Sequence, residues 1–376
     1  MIPRLLEKNI QNKTSSGKAI ILMGARQVGK TTLLKTLFGK TPGVMWLNGD
    51  EKDTQDLLLN SSSSRLKAYF GKKTIVIIDE AQRIPDIGLR LKIINDEIPE
   101  VQLIATGSSS FELANKLNEP LTGRKWEYKM YPLSFQEMVS HHGLQEEKRL
   151  LPHRLIYGYY PEIVSSVGDE KEKLKLLTES YLYKDVLCLE QIKKPEGLIK
   201  LLQALALQIG SQVSYNELSV TTGIDLKTVE KYITILEQTY VIFKLSSLSR
   251  NLRSELKKSR KIYFYDNGIR NTLLSNLSPV EQRQDVGALW ENYMVSERMK
   301  FNEYHKRWPN CWYWRTKEQK EIDYVEELEG SIKAYEFKWN PTGKHKTPAL
   351  FLDAYPGSTF EIIHPDNIEN FILSES

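Results

Sequence analysis

The sequence predicts an α/β chain of several domains, on three observations. Apolar runs such as AIILM (19–23), TIVII (74–78) and VQLIA (101–105) end in glycine, carboxylates or hydroxyls, the pattern of parallel strands buried on both faces. A glycine-rich segment, GARQVGKT, lies between the first of these runs and TLLKTLF, a helix-like stretch. Further along come a pair of capped amphipathic helices (214–245) and a hairpin with one charged and one aromatic face (320–340).

Composition sets the limits. The chain has 376 residues, is 40% hydrophobic and 27% charged, and carries a net charge of +4, enough for two or three cores. Residues 1–150 hold 22 Lys/Arg against 17 Asp/Glu, residues 151–255 hold 13 against 13, and residues 256–376 hold 17 against 18. No segment is a strongly basic nucleic-acid domain, so any such binding must come from local patches. Cys188 and Cys311 form no C-x-x-C pair, which argues against a disulfide scaffold or a zinc site. With no secretory signal at the start and no apolar run near the ~20 residues of a membrane span, the expectation is a cytoplasmic protein that does not contact a membrane.

The segment Gly24–Thr31 has the G-x-x-x-x-G-K-[ST] form of a phosphate-binding loop. Its glycines free the backbone of Gly24, Ala25, Arg26, Gln27, Val28 and Gly29 to turn N–H groups toward phosphates. Lys30 is expected on the β- and γ-phosphates of ATP and Thr31 on Mg²⁺, with Thr32 in the first helical turn, whose N-terminal field favours the anion. In TIVIIDEA (74–81) two acids follow a buried strand, whose C-terminal end is where such sheets bind ligands. Asp79 is the expected Mg²⁺ partner and Glu80 the group that polarises the attacking water. VQLIATGSSS (101–110) is a third strand. Thr106 or Ser108 could sense the γ-phosphate, and a plain helix-capping role fits either. Arg124, in LTGRKWEY, is a candidate for stabilising charge on the transferred phosphoryl group, within the chain or across a homo-oligomer interface.

Residues 151–207 show helical apolar spacing in KLKLLTESYLYKDVL and EGLIKLLQALALQIG, read as a lid that moves with nucleotide state. In 214–245, Ser214 and Glu217 form a capping-box pattern, Gly223 ends the first helix and Asp225 caps the second. This predicts a helix-turn-helix with a wing. The second helix presents Lys227, Thr228 and Lys231 to a DNA groove, or serves packing alone. The basic run RNLRSELKKSRK (250–261) adds to the nucleic-acid reading.

In the hairpin, pairing Val325 with Ile332 sets Asp323 opposite Ala334 and Glu321 opposite Glu336, on one face with Lys338. The order Asp323…Glu336-x-Lys338 resembles the D…(D/E)-x-K signature of restriction-endonuclease-like nucleases. There, carboxylates hold a Mg²⁺ that activates water. Glu291, on the helix after Gly287, fits the further acid that such folds place on a helix. A charged hairpin face with no catalytic role fits the same residues.

GARQVGKTTLL, IVIIDEAQRIPD, IATGSSS, Gly123–Arg124 and YPLSFQEM (131–138) together resemble a family of bacterial and archaeal AAA-type ATPases that end in an uncharacterised domain of restriction-endonuclease-like fold. GYYPEIV (158–164), YLYKDVL (181–187) and YDNGIRN (265–271) also look like motifs of that family. The resemblance spans essentially the whole chain. It implies a P-loop ATPase domain over 1–150, a helical lid over 151–207, a winged helix-turn-helix over 208–257 and a nuclease-like domain over 258–376. The expected activity is Mg²⁺-dependent ATP hydrolysis that gates the C-terminal module on DNA or RNA. The alternative is an ATP-regulated switch whose inactive nuclease-like domain binds a protein partner.

Overall fold

A computed structural model describes residues 2–108, 121–181, 192, 194–248, 260–316, 318–340 and 348–373. Most of YLYKDVL, the basic run up to residue 259, Ser109–Ser110 and Cys188 lie outside the described residues. The chain divides into two compact units, Met1–Pro132 with Gln238–Tyr240, and Leu133–Glu237 with Val241–Ser376.

The apolar runs of the first unit form a parallel sheet. Strands β1 (Ala19–Met23), β2 (Val44–Asn48), β3 (Ile75–Asp79), β4 (Gln102–Gly107) and β5 (Lys125–Lys129) stand in the order β2-β3-β4-β1-β5. Every residue of β1 and β4 is buried, as expected of strands covered on both faces. β4 sits between β1 and β3, so the strands leading to the phosphate loop and to Asp79 are separated by the one carrying Thr106.

In the second unit, strands β6 (Gln212–Val213), β7 (Ile242–Ser247), β8 (Arg260–Phe264), β9 (Asn310–Arg315), β10 (Glu321–Leu328), β11 (Ser331–Phe337) and β12 (Thr359–Ile363) share one sheet, ordered β12-β11-β10-β9-β7-β8-β6. The helix pair Tyr215–Thr222 and Leu226–Gln238 is present, with Gly223 left-handed at the end of the first helix. The strand pair β7–β8 follows it, and β7 also pairs in parallel with β9. The expected boundary at 257/258 therefore falls between two strands of one sheet.

The expected boundary at 150 also shifts, to 132/133. The reason is YPLSFQEM. Ser134 and Glu137 make a reciprocal capping box on helix Phe135–His142, and the Phe135 amide donates to buried Glu297 at 2.7 Å. At Ser214 only half of the expected box forms, with Glu217 N–H donating to the Ser214 hydroxyl at 3.4 Å.

GYYPEIV and YDNGIRN meet at buried Asp266. Its carboxylate accepts from the Tyr159 amide at 2.7 Å and caps helix Asn267–Leu273 through the Ile269 amide at 3.2 Å. Gly158 has φ +74°, and a Cβ there would lie 2.1 Å from an Asp266 oxygen. The fit excludes any larger residue.

The β10–β11 hairpin pairs Val325 with Ala334 and Leu328 with Ser331, two residues away from the expected register. An even shift alone would keep every side chain on its face, but the pairing of β10 with β9 slips between Ile322 and Val325. Ile322 shares one core cluster with Val325, Ala334 and Phe351, so the expected division of β10 into a charged and an apolar face is broken there. Tyr324, Tyr335 and Phe337 pack against Phe371, while Trp339 meets Trp290.

Candidate functional site

The phosphate loop is built on the C-terminal end of β1. Gly24 is required there, since a Cβ would lie 2.1 Å from the Met130 carbonyl oxygen. Ala25 and Val28 are buried, Arg26 is half-buried, and Gln27 and Thr32 are exposed. Gln27 (φ +59°) and Gly29 (φ +97°) turn the chain into helix Lys30–Phe38. Buried Lys30 folds back over the loop, donating to the carbonyls of Gly24 at 2.8 Å and Ala25 at 2.7 Å. Beneath the loop, buried Arg4 donates to the carbonyls of Val28 at 3.0 Å and Tyr131 at 2.7 Å. Nothing in the N-terminal sequence pattern marked this residue as part of the site.

A chain of bonds joins the three strand ends. The Thr31 hydroxyl donates to Asp79 Oδ2 at 2.7 Å. The Thr106 hydroxyl donates to Asp79 Oδ1 and accepts from the Glu80 amide at 3.1 Å. Ser108 is one step further out: the Gln82 amide donates to its hydroxyl at 2.9 Å and to Glu80 Oε2 at 2.5 Å. Gln82 is a residue the motif reading passed over; its signal was its position two residues after Glu80. Glu80 itself is left-handed (φ +50°). A hydroxyl and a carboxylate within one hydrogen bond, at the mouth of a phosphate loop, suit a hydrated Mg²⁺.

Arg124 does not join this group. Its carbonyl accepts from the Ala19 amide at the start of β1, about 16 Å from the loop at ~3.3 Å per residue. Its guanidinium pairs with Asp96 at 2.7 Å. A role on its own chain's phosphate is ruled out by that placement.

The second constellation does assemble. Glu291, on helix Val286–Tyr304, accepts from Lys261 Nζ at 2.8 Å and from the Tyr263 hydroxyl at 2.7 Å. Lys261 Nζ also lies 2.5 Å from Glu321, whose other oxygen is 3.2 Å from Arg315. Asp323 accepts from the Phe337 amide at 2.9 Å. Burial, then the Glu291 charge, pushes its carboxyl up to about 7, against the opposing pull of Lys261. Glu336 pairs with Lys338 at 2.7 Å. Glu291, Asp323 and Lys338 lie close enough to act on one another's charge, while Glu336 is joined to the group through Lys338. Lys261, read within the basic run as a nucleic-acid contact, is instead a fully buried partner of the acids. Among the described residues no three His, Cys, Asp or Glu side chains are gathered as a metal site. The expected Mg²⁺ set of Asp323, Glu336 and Glu291 does not fit a metal as folded, because ammonium groups already occupy Glu291 and Glu336 and a backbone amide takes Asp323.

On the helix pair, Lys227 and Lys231 are exposed. Thr228 is tied to Asp225, by its hydroxyl at 2.6 Å and its amide at 3.0 Å, and serves the helix start.

Residues 16–139 match the AAA domain family. Residues 148–280 and 286–365 match two families described as domains of unknown function, DUF8612 and DUF4143. An uncharacterized protein of Mycobacterium tuberculosis is 25% identical over 329 residues, which is 86% of this chain and 70% of that protein. An uncharacterized protein of Methanocaldococcus jannaschii is 26% identical over 332 residues, 77% of this chain and 69% of that one. Among solved structures, the Walker-type ATPase paby2304 of Pyrococcus abyssi superposes with a TM-score of 0.52 at 16% identity, covering 73% of this chain and 96% of that one. The chain carries an AAA-type P-loop ATPase domain on an α/β fold with a parallel sheet. No helix among the described residues is long and apolar enough to cross a membrane.

Proposed function

We propose that the protein is a Mg²⁺-dependent ATPase whose nucleotide state acts on its C-terminal module. The observation that carries this is the bonded chain Thr31–Asp79–Thr106–Glu80 at the ends of β1, β3 and β4. Lys30 exchanges its two carbonyl partners for the β- and γ-phosphates, and the loop amides receive the remaining charge. Thr31 and Asp79 would hold Mg²⁺, which would supply neutralising charge beside the phosphates. Glu80, oriented through its amide by Thr106 and through its carboxylate by Gln82, aligns the attacking water and takes its proton. Arg124 acts, if at all, on a neighbouring copy's nucleotide. Glu80→Gln should bind ATP and hydrolyse it slowly, because the contacts of Asp79 survive. Turnover at the wild-type rate would remove Glu80 from the mechanism.

The module is read as a winged helix continuous with a nuclease-like fold, engaging nucleic acid through exposed Lys227 and Lys231. A second reading is favoured by the paired acids: the nuclease-like domain is inactive and binds a protein partner under nucleotide control. ATPase activity stimulated by DNA supports the first. Stimulation by a co-purifying protein alone supports the second.

A further inference from the structure

We infer that Lys261 is the resident cation of the C-terminal acid cluster and that its ammonium holds the place a divalent metal would take. The inference deepens the second reading above and is independent of ATP hydrolysis. Three carboxylates face Lys261: Glu291, Glu321 and Asp323. Three cations answer them: Lys261, Arg315 and Lys338. Of these, only Lys261 has no exposed side-chain surface, whereas Lys338 is 38% exposed. Lys261 bridges one acid from the helix and one from β10, which is the geometric task of a metal in such a site.

Three features hold it there. Its strand is anchored on both sides: Lys261 pairs with Gln212 of β6 and with Leu245 of β7. The Tyr263 hydroxyl donates to the same Glu291 oxygen and fixes that carboxylate's orientation. Gly210 leaves room for it, since a Cβ there would lie 2.9 Å from the other Glu291 oxygen. Withdrawing the ammonium would leave half-buried Glu291 with the Tyr263 hydroxyl alone and Glu321 with Arg315 alone, and would remove the one fully buried charge that bridges them, at a cost in stability. A divalent ion entering beside the ammonium would meet a positive charge at close range. Lysine has no vacant coordination position and cannot lower the pKa of a bound water as a metal does, so the cluster binds and orders without hydrolysing.

The test is Mn²⁺ binding by the full chain without nucleotide, read as loss of the free-ion electron paramagnetic resonance signal. Asp79→Asn is present throughout to remove the N-terminal contribution. This chain should bind no Mn²⁺ at millimolar concentration. Adding Lys261→Met keeps the stem and deletes the charge. It should raise Mn²⁺ affinity at least about tenfold, and Glu291→Gln should reverse the gain. Mn²⁺ bound with Lys261 in place and lost on Asp323→Asn would overturn the inference, as would a folded Lys261→Met chain that binds no better. If Lys261→Met does not fold, adding Glu291→Gln and Glu321→Gln should restore folding, and failure to do so overturns the counter-ion role. A parallel nuclease assay keeps the second reading separate: cleavage of DNA that persists in chelator would defeat that reading while leaving the metal result intact.

Discussion

The two clusters of carboxylates in this chain are built on opposite electrostatic plans. At the phosphate loop, Asp79 takes its bonds from two hydroxyls and an amide, and Lys30 is turned onto backbone carbonyls. At the C-terminal cluster, Lys261, Arg315 and Lys338 are already spent on Glu291, Glu321 and Glu336. Neutral partners are exchanged at little cost when a charged ligand arrives. Ion pairs in a buried setting are not, because each must be broken before a new charge is satisfied. The same residue types therefore make a receptive site in one unit and a self-sufficient one in the other.

That contrast can be broken by mutation, starting where the effect is largest. Arg298 forms a two-pronged pair with buried Glu326, each bond at 2.8 Å. Arg298→Met should cost about 3–5 kcal/mol in unfolding free energy by chemical denaturation. A loss below about 1 kcal/mol would mean that this unit's ion pairs are ornamental. Lys30→Ala should lower ATP turnover about a hundredfold or more, the worth of two charge-assisted bonds at ~1.5–3 kcal/mol each, with no change in unfolding midpoint. A marked drop in that midpoint would show the loop to be as structurally committed as the acid cluster.

Asp285 tests the pH arm. Burial raises its pKa, but bonds from Arg283 and Arg270 outweigh this and hold the carboxyl at about 2. The folded value lies below the unfolded one of ~3.9. The stabilisation is therefore complete above pH ~4 and lost as pH falls through about 2, on the order of 1 kcal/mol after screening. Wild-type and Asp285→Asn stabilities should converge across that window; parallel curves would remove the ion pairs as the cause. The smallest effect belongs to Thr106→Val, which deletes one neutral partner of Asp79 and should slow ATP hydrolysis by no more than about tenfold. A loss as large as that of Lys30→Ala would make Thr106 a direct phosphate contact.

The sequence made the N-terminal site legible because its parts are local: GARQVGKT, the acids after a buried strand and the hydroxyl after another each declare themselves within ten residues. The C-terminal acids were legible for a different reason. The pattern Asp323…Glu336-x-Lys338 pointed to a neighbourhood of charges, and Asp323 and Lys338 do act on one another, but the register slip between Ile322 and Val325 was not visible in it. Lys261 was not legible. Its neighbours in sequence are cations, and only the pairing of β7 with β9, residues 246–247 with 312–313, carries β8 to the acids. Arg124 misled because a Gly-Arg turn looks alike at either end of a strand, and only the parallel pairing of β5 with β1 shows which end it occupies.

That β7–β9 pairing has a mechanical consequence. The ladder is two residue pairs long, extended by the Leu248 amide donating to the Tyr313 carbonyl at 2.7 Å. It is a narrow seam between a three-stranded and a four-stranded half of one sheet. Lys261, on β8, reaches Glu321 on β10, and so rivets the seam from the side with a bond whose ammonium end is fully buried. Pulled apart, the two halves would part company at the seam only after that rivet failed. The segments that look in sequence like separate hinged modules thus share one load-transmitting plate.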